Sequence, residues 1–259
     1  MSLDEPHAPV THRAQFRFYS ELNDFLPPGR RQKTFAYEFR GTPSVKDTIE
    51  ALGVPHTEID VIIVDDHSVD FAHLLRGGER VAVYPTFERC DVSAVTRLRP
   101  APLRDTRFVA DVHLGTLARN LRLLGFDTIW ERDLDDEGIV DIAREEHRII
   151  LTRDKGILKN GRVSHGYWVR STEPIAQLEE VVQAIDLVGD VAPYTRCMEC
   201  NGELRHAKRS DIAGSVPLQV FLAYRDFRQC AHCHRVYWRG SHLRRLDKLV
   251  ERARSVARG

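Results

Sequence analysis

Apolar and polar residues alternate along two segments near the N-terminus, a pattern typical of half-buried β-strands. The segments are RAQFRFY (13–19) and KTFAYEFR (33–40), and LPPGRR between them predicts a turn. The segment SVKDTIEALGV has helical spacing and begins at Ser44, a suitable N-cap. Two further strands are predicted over residues 60–66 and 80–85. The order strand, strand, helix, strand, strand predicts a β-grasp domain.

From residue 107 onward, predicted strands and helices alternate along the chain. The predicted strands are short: RFVAD, DTIW, IILTRD and GYWVRS. The predicted helices are HLGTLARNLRLLGFD, which Gly125 ends as a C-cap, DDEGIVDIAREEH, and PIAQLEEVVQAIDL, which Pro174 opens. Strands separated by helices predict a parallel sheet with right-handed crossovers. We therefore expect an α/β fold class, with a three-layer α/β/α domain over residues 107–192.

Acidic residues stand where the predicted strands of this domain end. Asp111 ends the first strand, Asp154 ends the third, and Asp135 and Asp136 open the helix between them. Ligands of an open parallel sheet bind beyond the carboxyl ends of its strands. Carboxylates gathered there repel one another unless a divalent cation neutralises them, and Mg²⁺ or Mn²⁺ suits all-oxygen ligands. The pattern thus favours a metal-bound water that attacks a phosphodiester.

Each of these acids also has a simpler interpretation. Asp111 and Asp136 could cap the helices that follow them, because aspartate is a preferred N-cap residue. Asp154 could form an Asx turn before Gly156. The two interpretations differ in whether the carboxylates converge on one pocket.

Four of the five cysteines form two C-x2-C pairs separated by 29 residues. The residues are Cys197, Cys200, Cys230 and Cys233. Four thiolates on two turns suit a tetrahedral, structural zinc ion; an iron–sulfur cluster or a redox pair is the alternative. The gap exceeds the usual length of about 15 to 20 residues, so an inserted hairpin or helix is expected. His232 and His234 could replace a thiolate or simply decorate the turn.

Changes of pattern set the predicted domain boundaries. Residues 1–88 form the β-grasp domain, and residues 193–259 form a zinc ribbon with a basic C-terminal helix. Residues 89–106 contain two prolines without sustained periodicity, so they are interpreted as a linker. Cys90 lies in this linker and is interpreted as a bystander.

Charge is segregated along the chain, although the 38 basic and 38 acidic residues balance. Residues 108–195 carry 10 Lys and Arg against 16 Asp and Glu, whereas residues 196–259 carry 14 against 6. An acidic site beside a basic segment fits an enzyme acting on a polyanion; a solvated basic helix would explain the charge equally well. Arg153, Trp238 and His242 could contact phosphates or bases, while packing against the ribbon is an equal alternative for Trp238.

Apolar runs in this sequence are short. None approaches the roughly 18 to 20 residues needed to cross a bilayer, and MSLDEPHAPVTHR lacks the apolar centre of a signal peptide. We therefore expect a cytoplasmic protein without membrane contact.

Several of these motifs together resemble one family. FVAD-x-x-LGTLARNLRLLGFD, RIILTRD, RCMECNGEL and CAHCHRVYWRGSH occur in the order typical of the Mut-seven C-terminal family of PIN-like ribonucleases, whose domain ends in a zinc ribbon. The resemblance covers about residues 107–246. It implies a metal-dependent ribonuclease, with RNA as substrate.

The resemblance also assigns residues to roles. Its acidic positions fall on Asp111, Asp136 and Asp154, with Asp135 or Asp133 as an additional member. Its LAR-x-LR motif falls on Arg119 and Arg122, for which RNA contacts are implied, and its YW-x-GSH motif includes Trp238 and His242. The chain has Leu243 where the family pattern often has a second aromatic residue.

The N-terminal domain resembles ubiquitin-like sulfur-carrier proteins. LLRGG echoes a ubiquitin tail, but Gly77 and Gly78 lead directly into a strand, so we interpret them as a turn. Two alternatives to the nuclease follow. The chain could be a non-catalytic RNA-binding or tRNA-associated adaptor, or its β-grasp domain could recruit a protein partner such as a sulfur-transfer component.

Overall fold

The computed structural model describes residues 11–86, 96–98, 106–238 and 240–255, and for residues 241–245 only the backbone. Cys90 and most of the predicted linker lie outside the described residues. The chain forms two compact units, one made of residues 1–102 and 158–164, the other of residues 103–157 and 165–259. Each unit has its own sheet.

A five-stranded sheet and one helix make up the first unit. Its elements are β1 (Thr11–Phe18), β2 (Phe35–Arg40), α1 (Val45–Ala51), β3 (Ile59–Val64), β4 (His67–Val69) and β5 (Arg80–Pro85). The strand order is β2-β1-β5-β3-β4, with β1 and β5 parallel and the other pairs antiparallel. Helix α1 starts at Ser44, whose Oγ accepts a hydrogen bond from the Asp47 N–H at 3.0 Å. The predicted β-grasp order and helix cap are confirmed.

Two turns of this unit depend on unusual backbone angles. The strand predicted over residues 60–66 ends at Val64, because Asp65 and Asp66 have φ of 45° and 71°. Two such residues form the tight turn of a β-hairpin, and the short strand β4 follows. Gly77 and Gly78 have φ of 105° and 98°, and the Gly77 N–H donates to the Glu79 carboxylate at 2.8 Å. The interpretation of the two glycines as a turn is confirmed.

A parallel sheet flanked by helices forms most of the second unit. Its elements are β6 (Arg107–Ala110), α2 (Gly115–Leu124), β7 (Asp127–Ile129), α3 (Asp136–Glu145), β8 (Ile149–Thr152), α4 (Lys155–Leu158), β9 (Gly166–Trp168) and α5 (Pro174–Ala184). All strands run parallel in the order β7-β6-β8-β9. Gly125 ends α2 with φ of 102°, as predicted.

Successive side chains of the central strands pack on opposite faces of the sheet. Phe108, Ala110 and Leu151 pack with α2 and α5 in one core. Side chains of successive strand residues point to opposite faces, so Val109 and Ile150 face α3, which contacts β6 and β8. All five of these residues are buried. This arrangement is the predicted three-layer α/β/α fold.

Three short antiparallel strands carry the cysteine pairs. They are β10 (Leu204–His206), β11 (Phe227–Cys230) and β12 (Val236–Trp238), and helix α6 (Leu218–Ala223) lies in the insert before β11. The helix expected in the long gap is therefore present. A small core under the insert contains Ala207, Ile212, Val216 and Phe227.

The basic C-terminal helix α7 (Ser241–Ser255) packs on the parallel-sheet domain. Leu246, Leu249, Val250 and Ala253 join the core formed by α2 and α5. Their spacing of three and four residues places them on one helix face. Sequence analysis considered the charge of this segment and did not foresee its apolar face. Across the described part of the chain, no helix combines the length and apolar character needed to cross a membrane.

Candidate catalytic and metal-binding sites

The topology of the parallel sheet creates a crevice between β6 and β8. From β6 the chain runs through α2 to β7 on one side, and from β7 it crosses through α3 to β8 on the other side. Ligands of doubly wound sheets bind at such a point, beyond the carboxyl ends of the strands. Asp111 directly follows β6, and Asp154 follows β8 by two residues. The order of the strands thus brings the two predicted acids to one edge.

A threonine links these two strand ends. Asp111 is 5% exposed, and its Oδ2 accepts a hydrogen bond from the Thr152 hydroxyl at 2.8 Å. The Thr152 Oγ1 in turn accepts a hydrogen bond from the Asp154 N–H at 2.8 Å. The contact fixes the buried carboxylate relative to the loop that carries Asp154. Sequence analysis missed Thr152, although a polar residue that ends an apolar strand is a recognisable signal.

Two of the acids also have local backbone partners. Oδ1 of Asp154 accepts from the Gly156 N–H at 2.7 Å, and Oδ1 of Asp135 accepts from the Gly138 N–H at 2.9 Å. The Asx turn considered for Asp154 is therefore present, and the cap of α3 is Asp135 rather than Asp136. Each bond occupies one oxygen and holds the carboxylate in a defined orientation.

The pKa of Asp136 depends on the other acids of this cluster. Partial loss of hydration raises the pKa of Asp136, and the negative charges of Asp154, Asp111 and Asp135 raise it further. Asp136 is exposed, so the charges of its neighbours characterise the site better than its loss of hydration does. The acids predicted from sequence therefore share one neighbourhood.

The acids are neighbours, but they do not form a compact group of metal ligands. Within the described residues, a group of three or more potential ligand atoms that all lie within 4.8 Å of one another occurs at the four cysteines and not at the acids. Uncompensated carboxylates repel one another, which favours such a spread. The donor set itself, carboxylate oxygen only, fits Mg²⁺ or Mn²⁺.

The four cysteines do form a closed cluster. All four sulfur atoms lie within 4.8 Å of one another, with Sγ–Sγ distances of 3.6 Å for Cys197–Cys233 and 3.4 Å for Cys200–Cys230. Tetrahedral zinc with bonds of about 2.3 Å requires sulfur separations of roughly 3.8 Å. The cysteines are free thiols in this arrangement and could bind a zinc ion.

Both cysteine turns have the same backbone form. The Asn201 N–H donates to the Cys197 carbonyl at 3.0 Å, and the His234 N–H donates to the Cys230 carbonyl at 3.1 Å. Both donors have positive φ, 64° for Asn201 and 59° for His234. His234 thus occupies the left-handed position of its turn, outside the four-sulfur cluster.

Comparison with known families identifies the second unit. The model of the Mut7-C RNAse domain matches residues 106–250, which is more than half of the 259-residue chain. The chain belongs to the Mut7-C RNAse domain family. The model of the Mut7-C ubiquitin domain matches residues 11–91, so both Mut7-C modules resembled at the sequence level are present. Searches of curated proteins and of solved structures returned no match.

One arginine of the Mut7-C motif LAR-x-LR lies inside the protein. Arg122 is 3% exposed, and its guanidinium donates to the carbonyls of Thr128 (2.8 Å), Met198 (3.2 Å) and Glu199 (2.7 Å). Burial lowers the pKa of Arg122, and the nearby Cys197 and other negative groups oppose this shift. The guanidinium faces the first cysteine turn. This geometry fits a structural role for Arg122 and gives no support to the implied RNA contact.

The other predicted RNA contacts of the Mut7-C domain have mixed environments. Arg119 is exposed and forms an ion pair with Glu199, and Arg153 is exposed beside Asp154. Trp238 is half-buried and packs against the small core of the ribbon, which is the alternative considered for it. The side chain of His242 lies outside the described residues. RNA binding by these four residues stays a prediction.

Tyr237 of the Mut7-C motif YW-x-GSH faces the cysteine cluster. Its hydroxyl lies 3.1 Å from Cys197 Sγ. Burial and this contact raise the pKa of Tyr237, so the hydroxyl keeps its proton and can donate it to a thiolate. Tyr237 thus places a hydrogen-bond donor at the cysteine cluster.

Proposed function

We propose that this Mut7-C protein is a metal-dependent ribonuclease, which hydrolyses RNA phosphodiester bonds at the carboxyl ends of β6 and β8. The observation that carries the proposal is the link between two predicted ligands at adjacent strand ends: Thr152 donates to Asp111 and accepts from the Asp154 N–H. Partial loss of hydration and the charges of Asp154, Asp111 and Asp135 also raise the pKa of Asp136. Carboxylates that repel one another at a strand-end crevice gain most from a bound cation. The ribonuclease-type family supplies the substrate class.

Three carboxylates would hold the cation: Asp111, Asp136 and Asp154. Thr152 orients Asp111 through Oδ2, and Gly156 orients Asp154 through Oδ1. The other oxygen of each carboxylate would be the ligand. A bound Mg²⁺ or Mn²⁺ lowers the pKa of a water and neutralises charge at the phosphate. Asp135 anchors the start of α3 beside this site, and Arg153, which is exposed next to Asp154, would contact a neighbouring phosphate.

Asparagine variants can separate the metal role from the capping role. An asparagine Oδ1 still accepts the Gly156 N–H, so Asp154→Asn keeps the turn and removes one charge. We expect Asp154→Asn and Asp111→Asn to abolish Mn²⁺-dependent cleavage of total RNA. Asp141→Asn changes an exposed acid of the same α3 helix that is not among the proposed ligands, so it is the matched control and should cleave like the wild type.

The assay compares dialysed protein with and without added Mn²⁺, with bound zinc quantified in each sample. Thermal unfolding in the same samples provides a second readout. Cation binding should raise the melting temperature of the wild type and of Asp141→Asn, and not of Asp154→Asn. Equal Mn²⁺-dependent cleavage by Asp154→Asn and wild type would end the proposed mechanism.

One observation favours a second function, a non-catalytic RNA-binding or tRNA-associated adaptor with a protein partner for its ubiquitin-like domain. The acids do not form a group within 4.8 Å among the described residues, and Asp154 and Asp135 each have a backbone partner. An adaptor would bind RNA in the same assay without cleavage by any variant.

A structural zinc ion is the second cofactor that we propose. Four sulfur ligands leave no open coordination position, so the ion would stabilise the ribbon and take no part in hydrolysis. Elemental analysis of the purified protein should find one zinc per chain, and Cys200→Ser should lower this content without Mn²⁺ restoring it.

A further inference from the structure

The first unit has a sheet surface opposite its core that combines tyrosines with arginines. Along β1, Ala14, Phe16 and Phe18 are buried, so the intervening side chains point away from the core. We call this surface the outer face. It contains Arg13, Gln15, Arg17 and Tyr19 in one row, and Arg80, Ala82 and Tyr84 in the next.

The two rows lie side by side because β1 and β5 pair in parallel. Gln15 is opposite Arg80, and Arg17 is opposite Ala82. These residues line a shallow groove of about 450 Å³. Arginines and aromatic rings therefore share one surface of the sheet.

Two tyrosine rings at the end of these rows stack face to face, which leaves their outer faces for a further ring; we call this pair the platform. The rings of Tyr19 and Tyr84 stack with 4.4 Å between centroids and 5° between planes. The guanidinium carbon of Arg17 lies 5.5 Å from the Tyr19 ring centroid. Tyr19 is 37% exposed, so the platform is accessible to solvent. Such a platform offers π-surface for stacking, with a cation at its side.

The charge of the outer face differs from the rest of the N-terminal region. Residues 1–107 carry 14 Lys and Arg against 16 Asp and Glu. The outer face, by contrast, has more arginines than acids. Arg13, Arg17, Arg80 and Arg40 face outward there, against Glu38 opposite Arg13 and Asp66, which pairs with Arg80 at 3.2 Å. Positive charge is therefore concentrated where the aromatic platform lies. This combination complements a polyanion that also carries planar rings.

We propose that the outer face binds an unpaired segment of RNA. Bases stack on the platform of Tyr19 and Tyr84, while Arg17 and Arg80 contact phosphates. The span from Arg80 to Tyr84 is about 13 Å, at roughly 3.3 Å per residue, which accommodates the two or three bases that sheet-based RNA-binding domains stack. Arginines and tyrosines line the groove, and they suit the phosphates and bases of unpaired RNA. The inference rests on the proposed function, because it takes RNA as the substrate.

The test uses the full chain in an Asp154→Asn background, so that no probe is cleaved. Affinity for a fluorescent 12-nucleotide oligouridine is measured by anisotropy at several salt concentrations. Stacking of one base on an aromatic ring contributes enough that Tyr19→Ala should weaken binding about 5- to 150-fold. Tyr19→Phe keeps the ring and should bind like the parent protein. Far-UV circular dichroism verifies that each variant is folded.

Arg17→Ala adds an electrostatic readout. Loss of one phosphate contact should reduce the slope of log affinity against log salt by about 0.7. Arg76→Ala removes the same charge from the turn before Gly77, outside the outer face, and is the matched control. Its slope should equal that of the parent protein.

The possible outcomes separate this inference from the nuclease proposal. If Tyr19→Ala and Arg17→Ala both behave like Arg76→Ala, the RNA-binding face is refuted, and the surface is left to a protein partner. That result leaves cleavage by the wild type untouched. Conversely, absence of cleavage with a strong effect of Tyr19→Ala would refute the nuclease and support the RNA-binding face.

Discussion

The buried arginine of α2 allows a direct test of whether its role is structural or RNA-binding. Arg122→Met removes three hydrogen bonds from the guanidinium to carbonyls and keeps an unbranched apolar stem. Hydrogen bonds to charged groups contribute about 1.5–3 kcal/mol each. These contributions do not add fully. The variant also no longer buries a charged group, and this loss of hydration is what lowers the pKa of Arg122. We expect a net loss of about 3 kcal/mol, or about 6 to 12 °C in melting temperature.

Arg119→Met is the matched control for this prediction. Arg119 lies on the same helix, and its exposed ion pair with Glu199 contributes about 0–1 kcal/mol. Thermal unfolding and zinc retention against a chelator should both deteriorate in Arg122→Met and change little in Arg119→Met. If Arg122→Met unfolds like the wild type but loses RNA affinity, the structural interpretation of Arg122 is refuted.

Three further predictions concern the second unit. Because the pKa of Asp136 is raised in the folded state, this residue makes the fold less stable as pH rises from below its unfolded value, about 3.9, through the raised pKa. Asp136→Asn should therefore increase resistance to urea at pH 7 without divalent cations, and an unchanged midpoint would contradict the acid cluster. Gly125→Ala should destabilise the protein by about 3 kcal/mol or more, since its φ of 102° disfavours a side chain and the added Cβ would meet the Ala192 carbonyl; an unchanged melting temperature would contradict this packing. Tyr237→Phe removes the hydroxyl beside Cys197 Sγ and should weaken zinc retention without loss of the ribbon fold, whereas equal retention would show that the hydroxyl does not support the site.

Local signals predicted much of the fold correctly. Ser44, Gly125 and Pro174 mark helix ends through their own backbone and side-chain preferences, and the two cysteine pairs carry their spacing in the sequence. The acids at strand ends could be placed at one edge because parallel strands share their direction. Each of these predictions depends on residues that are close in sequence or on a general topological rule.

Long-range contacts explain what sequence analysis could not supply. Arginine is usually an exposed residue. Only the contacts of Arg122 with carbonyls 76 and 77 positions away reveal that it is buried. Helix α7 was assigned from its charge, whereas its position is set by Leu246 and Val250 in a core built from α2 and α5. The sequence interpretation considered Asp136 as the cap of α3, and only the geometry identifies Asp135 as the cap.

Asp127 links the cysteine ribbon to the parallel sheet. Burial alone would raise its pKa, but hydrogen bonds from Arg148 and Asn201, and the charge of Arg196, lower it overall. Arg148 comes from the sheet domain, while Asn201 and Arg196 belong to the first cysteine turn. Asp127 therefore stabilises both parts above its unfolded pKa of about 3.9, and this contribution is lost as pH falls through the lowered pKa.

A fall in pH therefore has opposite effects on stability at Asp136 and at Asp127. Protonation of Asp136 relieves repulsion at the strand-end crevice, whereas protonation of Asp127 weakens the bond between sheet and ribbon. Helix α2 connects the two regions, because it begins four residues after Asp111 and its Arg122 donates to the first cysteine turn. Loss of the zinc ion proposed for the cysteines should therefore disturb the acid crevice through this helix. The ribbon thus supports the helix that follows Asp111.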